Sequence, residues 1–125
     1  MKIGLVGFAG SGKTTVFNTM TGLAVPVGYG GEVRLGAVRV PDERIDALSR
    51  IFSPKKTTYA EVTYRDLGLA HSAEKGQGIS PQKLGDLRSS DAIVHVVRAF
   101  RDPSVPHVDT TVDPVRDLAS LELEL

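Results

Sequence analysis

The sequence predicts an α/β fold in which strands and helices alternate and parallel strands form the sheet, and three observations carry that prediction. The octapeptide Gly7-Phe8-Ala9-Gly10-Ser11-Gly12-Lys13-Thr14 stands between an apolar strand-like run and a helix-like run. The segment Ala92-Ile93-Val94-His95-Val96-Val97 is almost continuously apolar, as expected of a central parallel strand covered on both faces. Pro41, Pro81 and Pro114 each stand where a proline can open a helix.

The elements follow in order. Lys2-Ile3-Gly4-Leu5-Val6 is a short buried strand, and Thr15-Val16-Phe17-Asn18-Thr19-Met20-Thr21 carries Val16, Phe17 and Met20 at helical spacing before Gly22 closes it. Residues 23–31, with Gly28-Tyr29-Gly30-Gly31, have neither period and read as a mobile loop. Residues 32–40 alternate through Val33, Leu35 and Ala37 and then slip to Val38 and Val40, which predicts a strand near a sheet edge with a bulge at Gly36 or Ala37. Pro41-Asp42-Glu43 opens a helix whose Ile45, Leu48, Ile51 and Phe52 form one apolar face, expected to pack on the sheet, until Ser53-Pro54 stops it.

Residues 57–64 are β-branched and aromatic and lead into Arg65-Asp66-Leu67-Gly68, so a third strand ends at an aspartate. Residues 69–80 read as a loop able to move, and Pro81 then opens a short helix bearing Leu84 and Leu87. After the run at 92–97, Asp113 caps and Pro114 begins a helix that carries Val115, Leu118, Leu121 and Leu125 to the last residue. No cap follows, which predicts the front portion of a longer polypeptide.

At 125 residues the chain can bury one core. Fifteen basic and fifteen acidic side chains cancel, so no overall field draws it to nucleic acid or a membrane surface. The absence of cysteine excludes disulfides and thiolate metal sites, and no signal peptide or spanning segment is legible; a cytoplasmic protein is expected. His71, His95 and His107 are scattered without metal-ligand spacing and read as hydrogen-bonding residues.

The octapeptide fits G-x-x-x-x-G-K-[ST], a pattern whose chemistry assigns a role to each residue. Its glycines let the backbone curl around a di- or triphosphate with N–H groups pointing inward, a cradle expected from Gly7, Gly10, Ser11, Gly12, Lys13, Thr14 and Thr15. Lys13 offsets the charge of the β- and γ-phosphates, and the Thr14 hydroxyl is placed to ligate Mg²⁺. A glycine-rich linker would leave Lys13 an ordinary exposed lysine and would not need a strand and a helix at its flanks. Such sites also need an acidic residue at the end of a neighbouring strand to hold the metal, directly or through water, and Asp66 is the candidate.

Several strings are unusual in combination: Asp42-Glu43-Arg44-Ile45-Asp46-Ala47-Leu48 after Val40-Pro41, Lys75-Gly76-Gln77-Gly78, Asp91-Ala92-Ile93-Val94-His95-Val96-Val97-Arg98-Ala99-Phe100, and His107-Val108 followed by Val112-Asp113-Pro114-Val115-Arg116-Asp117. With them the chain resembles, from Met1 to Leu125, the YchF/Obg-like ATPase family of translation-factor-related GTPases. The resemblance implies a P-loop NTPase with a Ras-like G-domain fold: a mixed, mostly parallel sheet flanked by helices, its second strand antiparallel. It implies ATP or GTP as ligand with Mg²⁺, and a nucleotide-controlled switch that acts around ribosomes. It also implies that residues 1–125 are the N-terminal portion of the G domain. The helix from about 113 would then lead toward a coiled-coil insertion, with the rest of the G domain and a small C-terminal domain beyond.

The chain departs from the family pattern at three places. Gly10 stands where members usually carry an asparagine linked in related GTPases to potassium activation, so no potassium dependence carries over. No threonine lies between Thr21 and Thr57 to serve as the first-switch ligand of Mg²⁺. Asp66-Leu67-Gly68 is one residue shorter than D-x-x-G, which weakens Gly68 as a sensor of the γ-phosphate. Leu69 keeps to the family pattern, which has a hydrophobic residue after the switch glycine where Ras-like enzymes place a glutamine, and a leucine cannot orient water by hydrogen bonding.

The expectation is a purine nucleotide-binding domain with slow hydrolysis at best, in which Lys13 and Gly68 serve the γ-phosphate. The rival expectation is a module without turnover that presents a surface to the ribosome or another protein. A small P-loop kinase would need lid arginines, and Arg98 and Arg101 read instead as surface or structural residues. No membrane contact and no direct nucleic-acid site is expected. The base-recognition motif would lie beyond Leu125, and the resemblance tilts the choice toward ATP.

Overall fold

Apolar side chains on both faces of Lys2–Val6 place this segment, β1, inside the sheet, with Leu5 and Val6 wholly buried. The computed structural model describes residues 1–27, 33–67, 81–107 and 109–125. After β1 come α1 (Lys13–Thr21), β2 (Arg34–Arg39), α2 (Glu43–Phe52), β3 (Glu61–Asp66), α3 (Pro81–Arg88), β4 (Ala92–His95) and α4 (Pro114–Glu124). The strands lie in the order β2-β3-β1-β4; β1 runs parallel to β3 and β4, and β2 runs antiparallel to β3. This is the mixed, mostly parallel sheet that the sequence reading expected.

Two helices make the core by covering opposite faces of β1. The register places Ile3, Tyr64 and Gly36 on one face, where α1 lies with Phe17 fully buried. A Cβ on Gly36 would come within 2.5 Å of Thr21 Cγ2 and 3.1 Å of Phe17 Cζ, so only glycine lets helix and strand approach this closely. Gly4 and Val6 look to the other face, where Leu87 of α3 packs with Val6 and Leu67. Helix α4 is anchored by Asp117 and Leu121, both buried and one turn apart. Its N-terminus is capped as expected: Asp113 Oδ1 accepts the N–H groups of Val115 and Arg116, each at 3.1 Å, with Pro114 in the first turn.

Three expectations are corrected. Strand β2 has no bulge, since its pairing runs unbroken from Arg34 opposite Asp66 to Arg39 opposite Glu61. The slip in its apolar pattern reflects an edge strand with one covered face: Gly36 and Val38 turn toward α1, whereas Leu35, 60% exposed, and Ala37 turn away. Strand β4 lies at the other edge of the sheet among the described residues, with Ile93 exposed, and not between two strands as its apolar run suggested. Helix α2 does not pack on the sheet; none of its residues is buried, and Ile51 and Phe52 are 72% and 73% exposed. Helical periodicity records a face suited to burial without recording what covers it. Side chains tether α2 to the segment that leads into β3 instead: Ser49 Oγ meets Thr57 Oγ1 at 2.6 Å, and the Tyr59 hydroxyl donates to Asp46.

The loop expectations at Gly28-Tyr29-Gly30-Gly31 and over residues 69–80 lie outside the described residues, as do Gly68, Leu69 and His71. The contrast in burial sets a test of the core. Phe17→Ala will cost about 3 to 5 kcal/mol in urea unfolding, whereas Phe52→Ala will stay within about 0.5 kcal/mol of the parent. A large loss on Phe52→Ala would mean that α2 is packed after all.

Candidate functional site

Parallel pairing brings the chain out of β1 and β3 at the same end of the sheet, with Leu5 opposite Asp66. From there residues 7–12 turn back to begin α1 at Lys13. Gly10 and Gly12 sit at φ 73° and 99°, in the region that favours glycine, and a Cβ on Gly7 would lie 2.2 Å from the Val96 carbonyl oxygen. Gly12 caps α1 without any side-chain hydrogen bond, and its carbonyl accepts the Val16 N–H at 2.9 Å. The first-turn N–H groups of Lys13, Thr14 and Thr15 have no intrahelical acceptor and carry the positive end of the helix dipole. Here the backbone itself favours an anion.

Lys13 is 8% exposed and folds back over the loop, where Nζ donates to the Gly7 and Phe8 carbonyls, each at 2.7 Å. Burial lowers its pKa from the ordinary 10.5 to about 8; the Asp66 carboxylate opposes that fall and the Lys83 ammonium of α3 adds to it. Thr14 Oγ1 donates to Asp66 Oδ2 at 2.9 Å, joining the start of α1 to the end of β3. Arg34, the cross-strand neighbour of Asp66, places Nη1 3.4 Å from Thr14 Oγ1 and 3.8 Å from Asp66 Oδ2. Ser11 Oγ is buried and has no hydrogen-bond partner among the described residues.

A second arginine supports the loop from outside. Arg98 is buried, and its guanidinium donates to the carbonyls of Phe100 at 3.1 Å, Val105 at 2.8 Å and Asp102 at 3.2 Å while lying over the Phe100 ring. The turn it organises lies against the loop, since a Cβ on Gly10 would be 2.9 Å from Val105 Cγ1. His107 Nε2 then pairs with Asp117 Oδ2 at 2.9 Å and fixes the turn to α4.

The structure thus gathers Gly7, Gly10, Ser11, Gly12, Lys13, Thr14 and Asp66 in one place, and Thr15 follows, exposed, in the first turn of α1. Gly68 lies outside the described residues. Arg98 has the structural role read for it, and His107 the bland hydrogen-bonding role. Sequence reasoning missed Arg34. Its signal was available only through pairing: once β2 runs antiparallel to β3, the residue opposite the strand-ending aspartate is an arginine. Among the described residues no three His, Cys, Asp or Glu side chains form a metal-binding group, so a hard cation at Thr14 and Asp66 would need further oxygens from a ligand or water.

No family model matches the chain. Comparison with curated proteins finds Obg-like ATPase 1 of Oryza sativa subsp. indica at 41% identity, matching 100% of this chain and 33% of that protein. The ribosome-binding ATPase YchF of Bacillus subtilis is 39% identical over 98% of this chain and 35% of its own length. Among solved structures, the Schizosaccharomyces pombe YchF GTPase superposes with a TM-score of 0.67 at 38% identity, over 97% of this chain and 34% of that one. The chain belongs to the YchF/Obg-like ATPase family. It spans about a third of the length of the curated relatives it matches. The YchF structure shares the fold described above, and the likeness read from the residues is borne out for family and fold. No helix among the described residues is long and apolar enough to cross a membrane.

The depressed Lys13 pKa makes stability depend on pH with a definite sign. Below about pH 8 the ammonium is charged in both states, and the folded state bears the cost of burying it. From about 8 to 10.5 the unfolded chain binds more protons than the folded one, so this group adds stability as pH rises. The parent will therefore gain urea stability relative to Lys13→Met between pH 8 and pH 10, and parallel curves for the two proteins would contradict the burial of the charge.

Proposed function

We propose that this chain binds the phosphates of a purine nucleotide together with Mg²⁺, as the nucleotide-binding part of a YchF-like NTPase. The observation that carries the reading is the convergence of a buried Lys13, the free first-turn amides of α1 and the Thr14–Asp66 pair at one end of the sheet. Backbone amides from Gly10 to Thr15 receive phosphate oxygens, and the Lys13 ammonium exchanges the Gly7 and Phe8 carbonyls for the β- and γ-phosphates. The buried, unpartnered Ser11 Oγ fits the same occupant, since a phosphate oxygen would satisfy it.

The donor set also fits Mg²⁺: a hydroxyl and a carboxylate oxygen 2.9 Å apart, on two rigid elements. Thr14 would hold the ion directly and Asp66 through water. When bound, the ion would supply positive charge to offset that on the phosphates. The similar proteins of Mycoplasma genitalium and Bacillus subtilis bear the name ribosome-binding ATPase, which supports ATP as the nucleotide and action beside the ribosome in the cytoplasm.

Hydrolysis is proposed to be slow. Leu69 cannot orient a water, and no threonine between Thr21 and Thr57 can close over the metal. The same two features favour a second reading, a module that holds nucleotide without turnover. Single-turnover measurement with labelled ATP and GTP separates them, because phosphate release abolished by Lys13→Ala is incompatible with a module devoid of turnover. Binding itself is tested by calorimetric titration with ADP and ATP. Lys13→Ala will weaken affinity at least about tenfold, as expected for a charge-assisted contact worth about 1.5 to 3 kcal/mol, and unchanged affinity would refute the assignment.

A further inference from the structure

Arg34 has no part in the phosphate cradle, yet its guanidinium reaches the two oxygens assigned to the metal. Nη1 lies 3.4 Å from Thr14 Oγ1 and 3.8 Å from Asp66 Oδ2, and the Arg34 side chain is 19% exposed against 2% for Asp66. The placement is imposed by the fold. Arg34 and Asp66 are directly paired across the antiparallel β2–β3 ladder, and both turn to the face that carries α1. A carboxylate this deeply buried is costly to desolvate, and a cation beside it offsets that cost. Lys13 spends its Nζ hydrogen bonds on the Gly7 and Phe8 carbonyls and acts on Asp66 through its field alone, whereas Arg34 makes the ion pair.

We infer that Arg34 is the resident counter-cation of the Thr14–Asp66 pair, a monovalent side-chain charge that a divalent metal ion must displace in order to bind. This rests on the reading of Thr14 and Asp66 as the metal cradle and adds a competitor to it. Two cations cannot share one carboxylate at this range without repulsion, so the guanidinium lowers the affinity for metal and confines tight binding to metal that arrives with a polyphosphate. Arg34 stands at the first position of β2 on an edge strand, and its long side chain can swing out without disturbing the ladder. Arg34 is thus a positioning residue for the cation site, holding Asp66 in place when no metal is bound.

The test uses Mn²⁺ alone as probe, followed by electron paramagnetic resonance of the free ion, with the parent, Arg34→Gln, Arg34→Lys and Asp66→Asn. Arg34→Gln will bind Mn²⁺ about tenfold more tightly than the parent, since a unit charge within about 4 Å of the site is gone. Arg34→Lys keeps the charge and will stay near the parent. Thermal unfolding supplies a second readout: Arg34→Gln will melt below the parent without metal and gain more than the parent from added Mn²⁺. An Arg34→Gln protein that binds Mn²⁺ no more tightly than the parent overturns the inference and leaves the cradle reading intact. If the gain in Arg34→Gln persists when Asp66→Asn is added, the metal sits elsewhere, and both the cradle and the role of Arg34 fall.

Discussion

The parallel pairing of β1 with β3 is the constraint on which the site depends. Because both strands run the same way, the loop leaving β1 and the aspartate ending β3 emerge at one end of the sheet, and Thr14 can reach Asp66 across 2.9 Å. An antiparallel pair would send the two ends apart by the length of the strands. Everything else at the site is built around that junction: Phe17 holds α1 on the sheet, Gly36 lets it lie close, and the Arg98 turn presses on Gly10 from outside. The chemistry is spread over residues 7 to 98, but one register fixes where it meets.

Burial and charge act against each other there. A lysine with two carbonyl acceptors and a carboxylate with a hydroxyl donor are each satisfied by neighbours, yet both sit where water is scarce. The fold keeps ionisable groups in a place that weakens them, and the fall of the Lys13 pKa to about 8 records that cost. Such groups gain most from a partner of opposite charge, and for Lys13 the proposed phosphate ligand would supply one.

Much of this was legible in the sequence because it is local. The G-x-x-x-x-G-K-[ST] spacing, the cap at Asp113 and the strand ending at Asp66 follow from short-range rules, and each is found where those rules place it. What escaped is relational. Residues 92–97 read as a central strand, but strand position depends on what pairs alongside it; the apolar face of α2 was clear, but its covering was not; and the slip in β2 looked like a bulge because an edge strand with one bare face produces the same string. Arg34 was invisible for the same reason. Its proximity to Asp66 exists only through the ladder, across a sequence distance in which α2 intervenes.

The buried Arg98 carries a consequence for how the stretch between β4 and α4 can vary. Three carbonyls, two, four and seven residues further along, meet the nitrogens of one planar group. The guanidinium therefore acts as a gauge of chain length: it accepts only a peptide whose residues arrive at those counts. Side chains over this stretch can change freely where they face water, while a single inserted or deleted residue would shift every later carbonyl past the fork that measures it.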